Sequence, residues 1–284
     1  MRDELNRQWN SEGYIVVRGL VDGARCAQIA ALCEPILAQW RRENPENGTP
    51  GGGPDATVMR HLNHPGYLTD GRVEGKGEIL RLVADAKVLA VCRAILQEEP
   101  LFRCTSLFMN PQENSIDGNW HRDSQFHCSD EEDERQLITA GGTAGTSVQL
   151  QIALVPSADV EVVPASHLRW DTAAEYAIRR ADAQINNRCN DMPNALRVVL
   201  EPGDALAFNP CALHRGRYHA DKLRRTLMLT YTKTSAPRFD YFSDQPWFLD
   251  PAYLDKLDVE TRPFFARFIA EYQTNWRQEY ERSR

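Results

Sequence analysis

Apolar positions in the N-terminal third of the chain recur mainly at the spacing of α-helices. Residues 13–20 form a short run of branched residues that predicts a strand, and Asp22 is the expected N-cap of a helix that extends to about residue 40. Pro35 lies inside this helix, so we expect a kink or a break there. Two later segments have the same helical period: residues 80–96 and 261–283.

After Pro100 the apolar residues change to short alternating runs bounded by turn signals, which is the pattern of half-buried strands. The predicted strands are residues 102–109, 146–154, 160–163, 195–200, 205–208 and 225–232. Residues 168–182 interrupt this series with a helical pattern. We therefore predict a mainly β fold, an antiparallel sandwich or barrel with flanking α-helices from both ends packed on it. We predict a single domain over residues 1–284, with its core at about residues 100–235.

The composition narrows the class of protein. The net charge of −7 and the pI of about 5.6 give no indication of a nucleic-acid-binding surface. The N-terminus has no apolar signal core, and no apolar run approaches the length of a membrane span. The seven cysteines form no CxxC pair, which argues against a disulfide framework and predicts a cytoplasmic location. We interpret the acidic run at residues 129–134 as a solvated loop.

Residues 119–128 read NWHRDSQFHC and contain the first candidate for chemistry. In an extended segment His121 and Asp123 point to the same face, which supplies two thirds of a 2-His-1-carboxylate iron site. One such pair is weak evidence, because roughly half an HxD is expected by chance in a chain of this composition. A third ligand is available at His214, which follows the turn Pro202-Gly203-Asp204 and a short strand. We interpret the residues after His214 as a basic loop.

Arg225 begins the last predicted strand and shares a face with Leu227 and Leu229. An arginine on an apolar face normally pairs with a carboxylate, often through two hydrogen bonds. Arg225 is therefore a candidate for binding a carboxylate. Arg224 has the opposite strand parity and ranks second.

The order of these motifs resembles the phytanoyl-CoA dioxygenase family. HRD at residues 121–123 matches its HxD, VPASH at residues 163–167 matches its Pro-Gly-Ser-His turn with Ala in place of Gly, and PGD precedes His214. An arginine then stands eleven positions after His214. The resemblance implies an iron(II)- and 2-oxoglutarate-dependent oxygenase with a double-stranded β-helix (jelly-roll) core.

The resemblance also implies roles for individual residues. Iron(II) would be bound by His121, Asp123 and His214, and Arg225 would bind the distal carboxylate of 2-oxoglutarate. Ser106 and Gln151 would lie near this cosubstrate, with Gln151 where the family has an aromatic residue. O2 would take the remaining iron position. Because the ligand Asp123 is present, the resemblance favours hydroxylation of a C–H bond over halogenation, with release of succinate and CO2.

The substrate is expected to be a small molecule, such as a secondary metabolite or an acyl or amino acid derivative. The many arginines indicate an anionic one. Candidate substrate contacts are Arg103, His167 and Arg217, and residues 44–75 and 128–145 are the expected lid loops. Two alternatives stay open: a cupin-like metal enzyme that uses the same ligands without 2-oxoglutarate, and a non-catalytic jelly-roll binding protein. The sequence leaves the oligomeric state open.

Overall fold

The computed structural model describes residues 2–46, 51–68, 77–141, 146–255 and 257–282. The strands are β1 (Tyr14–Val17), β2 (Val58–Arg60), β3 (Pro100–Met109), β4 (Ile116–Asp117), β5 (Ser147–Ala153), β6 (Ser157–Val162), β7 (Leu196–Leu200), β8 (Ala205–Phe208), β9 (His214–Tyr218) and β10 (Arg225–Lys233). The helices are α1 (Arg2–Glu12), α2 (Gly23–Glu43), α3 (Pro65–Leu68), α4 (Gly77–Val83), α5 (Ala86–Leu96), α6 (Glu131–Thr139), α7 (Ala173–Arg179), α8 (Pro251–Asp255) and α9 (Arg262–Arg282). Within these ranges, no helix is long and apolar enough to cross a bilayer.

The strands form two antiparallel sheets, as the alternating pattern predicts. One sheet has the order β1-β8-β5-β10-β3-β2, and the other has the order β4-β9-β6-β7. Their inner faces pack together through apolar residues that include Val160 and Val162 of β6 and Leu206 and Phe208 of β8. This arrangement is the double-stranded β-helix, or jelly roll, that the sequence predicts.

The larger sheet has two different faces because side chains alternate along each strand. On β10, Leu227, Leu229 and Tyr231 belong to the main hydrophobic core, together with buried residues of α2, α5 and α9. The alternate residues Met228 and Thr230 line a cavity inside the barrel. The helices therefore cover one face of this sheet and leave the other for a binding site.

Three local predictions differ from the structure. Helix α2 begins after its N-cap Asp22, as expected, but continues through Pro35 without a break. Pro35 and Ala31 both lie on the exposed face, so the carbonyl that loses its partner is on the solvent side. The predicted helix at residues 80–96 is two helices, because Asp85 caps the N-terminus of α5. The residues after His214 form β9 instead of a basic loop.

The acidic run at residues 129–134 is not a solvated loop. Asp130 accepts a hydrogen bond from the backbone of Asp133 as the N-cap of α6, and the other acidic residues occupy the first turn of that helix. Glu134 is fully buried and pairs with Arg179 and Arg180. The expected lid loops lie partly outside the described residues, at 47–50, 69–75 and 142–145.

A buried network of charged groups connects α6 and α7 to the core. Arg122, the middle residue of HRD, donates to Asp171 at 2.8 Å and to the carbonyls of Ser166 and Cys211 at 2.7 and 2.5 Å. Asp171 also accepts from Arg179 at 2.6 Å. Through these hydrogen bonds Arg122 holds the segments that contain Ser166, Asp171 and Cys211 in one arrangement.

The PGD turn has a structural role that the motif alone does not show. Gly203 has φ +92°, and an added Cβ would lie 2.1 Å from the carbonyl oxygen of Val21. Asp204 accepts hydrogen bonds from the backbone N–H of Gly19 at 2.8 Å and from Arg18 at 2.6 Å. The turn therefore fastens the segment between β1 and α2 to the start of β8.

We expect Gly203→Ala to destabilise the protein more than Gly19→Ala. Gly19 also has a positive φ, but an added Cβ there meets nothing within 4 Å. Both variants should lose about 1–2 kcal/mol from the left-handed backbone, and only Gly203→Ala should lose more through overlap with Val21. Urea denaturation measures both. Equal losses would contradict the proposed contact.

We also expect Arg122→Met to reduce the free energy of unfolding by about 3–5 kcal/mol, because it leaves Asp171 buried with one partner fewer. Arg93→Met is the matched control, since Arg93 pairs with Glu99 at the surface. That control should lose less than about 1 kcal/mol. Comparable losses in the two variants would show that the buried network contributes no more than a surface ion pair.

Candidate metal centre and its cavity

Three side chains converge at one end of the barrel. The Nε2 atoms of His121 and His214 lie 3.5 and 3.7 Å from Oδ1 of Asp123. The possible ligand atoms of the three residues all lie within 4.8 Å of one another. The structure thus brings together the three ligands that the sequence predicts.

Backbone pairing fixes the two histidines relative to each other. His121 and His214 form an isolated antiparallel bridge, with N···O distances of 3.1 and 3.0 Å. Each ring donates its Nδ1–H to a carbonyl, of Asn119 at 2.7 Å and of Ala212 at 2.9 Å. Carbonyls only accept, so both Nδ1 atoms carry the proton and both Nε2 lone pairs are free to bind a metal.

Asp123 is held by hydrogen bonds of its backbone and of its carboxylate. Its backbone N–H donates to the carbonyl of Pro210 at 2.8 Å, next to the segment that leads to His214. Oδ1 faces the imidazole nitrogens, and Oδ2 accepts a hydrogen bond from Gln149 on β5. The two oxygens of Asp123 therefore have different surroundings.

His214 is buried, and its surroundings keep it neutral. Burial is the main cause that lowers the pKa of His214 to about 4, and the neighbouring His121 lowers it further, against the raising effect of Asp123. Near neutral pH the ring is therefore uncharged, which is the form that binds metals.

The donor set fits iron(II). Two imidazole nitrogens and one carboxylate oxygen on one side are the ligands of non-haem iron(II) oxygenases, which leave the remaining positions open. His121, Asp123 and His214 all line the cavity, so those open positions face the space in which small molecules would bind. The cavity has a volume of about 670 Å³, within the usual range for small-molecule sites.

Two residues that line the cavity have buried polar atoms without hydrogen-bond partners, Nε of Arg224 and Oε1 of Gln151. Oγ1 of Thr226 also makes no hydrogen bond; Thr226 is not among the lining residues but lies on the same face of β10 as Met228. The guanidinium of Arg224 lies over the rings of Tyr218 and Phe108, at 4.5 and 5.2 Å from the ring centres. Because unpaired buried polar groups are unfavourable, these atoms indicate a place for a polar ligand.

Arg225 is not at this place. It lies on the face of β10 that packs against the helices, and it donates to both carboxylate oxygens of Glu34, at 2.5 and 3.0 Å. A further bond reaches Asn110 at 2.9 Å. The structure therefore does not bring Arg225 to the cavity, and it places Arg224 there. Leu227 and Leu229 share the face of Arg225 and belong to the core under the helices.

The other predicted residues divide between the cavity and the scaffold. Gln151 and Arg103 line the cavity, and Arg103 pairs with Asp240. Ser106 is buried and accepts a hydrogen bond from Arg60 at 3.0 Å. It is not among the residues that line the cavity.

Neither His167 nor Arg217 lines the cavity. His167 is buried so close to Gly13 that a Cβ there would lie 2.4 Å from its Nδ1. Arg217 makes two hydrogen bonds to Asp117, at 2.9 and 3.0 Å. Both residues therefore stabilise the scaffold.

Several cavity residues were not predicted. Arg60 lies on the edge strand β2, and Arg238 and Phe242 follow β10. Strand parity separates Arg224 from the leucines, because Arg224 shares a face with Met228, but parity alone does not show which of the two faces lines the cavity. Arg238 and Phe242 lie between β10 and α8, in a segment that carries no periodic signal.

Comparison with known proteins agrees with the site. The family model described as phytanoyl-CoA dioxygenase matches residues 9–226. A comparison with curated protein sequences gives no significant match.

Solved structures share the fold at low sequence identity. AviO1 from Streptomyces viridochromogenes Tue57 is 17% identical, with a TM-score of 0.58 over 84% of this chain and 98% of that chain. The epimerase SnoN, in complex with Fe3+, alpha ketoglutarate and nogalamycin RO, is 18% identical, with a TM-score of 0.57 over 91% and 90%. EctD from S. alaskensis, with 2-oxoglutarate and 5-hydroxyectoine, is 17% identical, with a TM-score of 0.58 over 87% and 83%. Since the family model spans most of the chain, the protein belongs to the phytanoyl-CoA dioxygenase family of iron(II)- and 2-oxoglutarate-dependent oxygenases.

Proposed function

We propose that the protein hydroxylates a C–H bond of a small anionic molecule. The observation that carries this proposal is the cavity. Its wall contains the triad His121, Asp123 and His214, and also buried polar atoms of Arg224 and Gln151 that make no hydrogen bond. Iron(II) bound by the triad would use O2 to oxidise the substrate, while 2-oxoglutarate is converted to succinate and CO2. The protein holds these molecules next to one another and fixes their orientation.

We propose Arg224, and not Arg225, as the anchor of the distal carboxylate of 2-oxoglutarate. Arg224 faces the cavity, and its Nε makes no hydrogen bond, the nearest carboxylate oxygen of Asp159 being 3.9 Å away. The hydroxyl of Thr226 is a further unpaired donor two residues along the same face of β10. A carboxylate at this end would accept hydrogen bonds from both side chains.

The arginines that line the cavity support the proposal of an anionic substrate. Arg60, Arg103 and Arg238 all line it. Asp240 pairs with Arg103, and its Oδ2 lies 3.3 Å from Nε of Arg238. One carboxylate is therefore the ion-pair partner of two of these guanidiniums. Arg60 donates to the neutral Ser106 and stacks on Phe108 and Phe242. The excess of positive charge in a partly enclosed space favours an anion.

The aromatic residues that line the cavity support a substrate that also has an apolar part. The ring of Phe242 lies between the guanidiniums of Arg60 and Arg103, at 5.2 and 5.4 Å. Phe126 is 65% exposed and lies 5.7 Å from the ring of His121. Such an exposed ring beside a metal site provides apolar contact for a bound molecule.

We also propose that the protein is located in the cytoplasm. None of the seven cysteines, all of which lie in the described ranges, forms a disulfide. Free thiols are usual where the compartment keeps them reduced.

The anchor is tested by comparing Arg224→Gln with Arg225→Gln. We expect Arg224→Gln to weaken 2-oxoglutarate binding to the anaerobic iron(II) protein by about 10- to 100-fold, because a charge-assisted hydrogen bond is lost. Arg225→Gln should leave this affinity nearly unchanged and only weaken the contact with Glu34. Calorimetric titration measures both affinities. The reverse result would restore Arg225 as the anchor.

The substrate class is tested with pairs of small carboxylic acids and their amides, added to the protein with iron(II) and 2-oxoglutarate. We expect the acids to accelerate succinate formation more than the matched amides, and Arg238→Gln to reduce this preference. Amides that act as well as acids would contradict the anionic substrate. A folded, iron-loaded protein that never consumes 2-oxoglutarate would contradict the reaction itself.

A further inference from the structure

The carboxylate of Asp123 presents only one of its oxygens to the histidines. Oδ1 is the atom that lies 3.5 and 3.7 Å from the two Nε2 atoms. Oδ2 points to Gln149, whose side-chain amide donates a hydrogen bond to it. Among the residues that the structure describes, no other side chain is hydrogen-bonded to Asp123.

Gln149 is well placed to hold this orientation. It lies in the middle of β5, paired in register with Phe208 of β8 on one side and Thr230 of β10 on the other. A central strand of a sheet is a rigid support, so the backbone that carries the amide keeps its position beside Asp123. Gln149 also lines the cavity, so it acts at the side of the metal site that faces bound molecules.

We propose that Gln149 is a positioning residue that restricts Asp123 to one metal bond. A carboxylate can bind a metal through one oxygen or through both. A hydrogen bond to Oδ2 favours binding through Oδ1 alone. Iron(II) held by the three residues would then keep positions for 2-oxoglutarate and O2. Without this bond, the carboxylate would be free to turn, and Oδ1 would no longer be held towards the two Nε2 atoms.

This inference rests on the iron site of the proposed function, but it does not depend on the substrate. It concerns the metal affinity and the spectrum of the metal complex, and both can be measured without turnover. Hydrogen-bonding partners of metal ligands typically change metal affinity or activity by about 10- to 100-fold.

The test compares Gln149→Leu, Gln149→Glu and the control Thr230→Val. Leucine removes the donor, and glutamate keeps the length of the side chain but replaces the donor with a second carboxylate. Thr230 faces Gln149 across the strand pair and lines the same cavity, but it makes no hydrogen bond to Asp123. Anaerobic titration with iron(II) gives the affinity, and the visible band of the complex with 2-oxoglutarate reports on the coordination of the metal.

We expect Gln149→Leu to bind iron(II) about 10- to 100-fold more weakly, and both Gln149 variants to shift or lose the band. Thr230→Val should match the wild type in iron(II) affinity. Wild-type affinity and an unchanged band in Gln149→Leu would overturn the proposal, as would equal changes in Thr230→Val. A melting temperature of the metal-free variants equal to that of the wild type excludes a general loss of structure. If the wild type binds iron(II) but not 2-oxoglutarate, the affinity comparison still decides the role of Gln149, whereas the proposed reaction fails.

Discussion

The antiparallel backbone bridge between His121 and His214 is the interaction on which the site depends. It joins the segment that carries HRD to the start of β9, two parts of the chain that lie more than ninety positions apart. Because each backbone N–H pairs with the carbonyl of the other residue, the two rings project together. The bonds from Nδ1 to Asn119 and Ala212 then orient both Nε2 atoms. The third ligand is fixed to the same segment through Pro210.

Buried charge holds the surroundings of this bridge. Arg122 lies between the two ligands of HRD, points away from the cavity and is fully buried. Its bonds to the carbonyls of Ser166 and Cys211 connect the turn of VPASH to the approach of His214. The motifs that appear separately in the sequence are thus one connected structure. A network of this kind specifies a single arrangement only if all of its members are present.

The sequence predicted the cluster of His121, Asp123 and His214, but not which arginine lines the cavity, and the reason is physical. Spacing at i and i+2 identifies residues that share a face, and this placed His121 and Asp123 together. The same rule grouped Arg225 with Leu227 and Leu229, and that grouping is correct. The sheet, however, has two buried faces, one under the helices and one inside the barrel, and alternation does not distinguish them. The cavity is on the face of Arg224 and Met228.

Part of the cavity wall could not be predicted from local sequence patterns. Arg238, Asp240 and Phe242 follow β10 and lie beyond the end of the family match at residue 226. Their positions depend on long-range contacts, such as the pair between Arg103 and Asp240, that no local pattern contains. The family match therefore does not include this part of the cavity wall.

The most direct test of this account is an anaerobic titration of the metal-free protein with iron(II) and then with 2-oxoglutarate. A weak visible charge-transfer band should appear in the wild type and be absent in His121→Ala, because the keto acid must bind the metal that the triad holds. A wild-type protein that is folded and has bound iron(II), but shows no such band, would contradict the account.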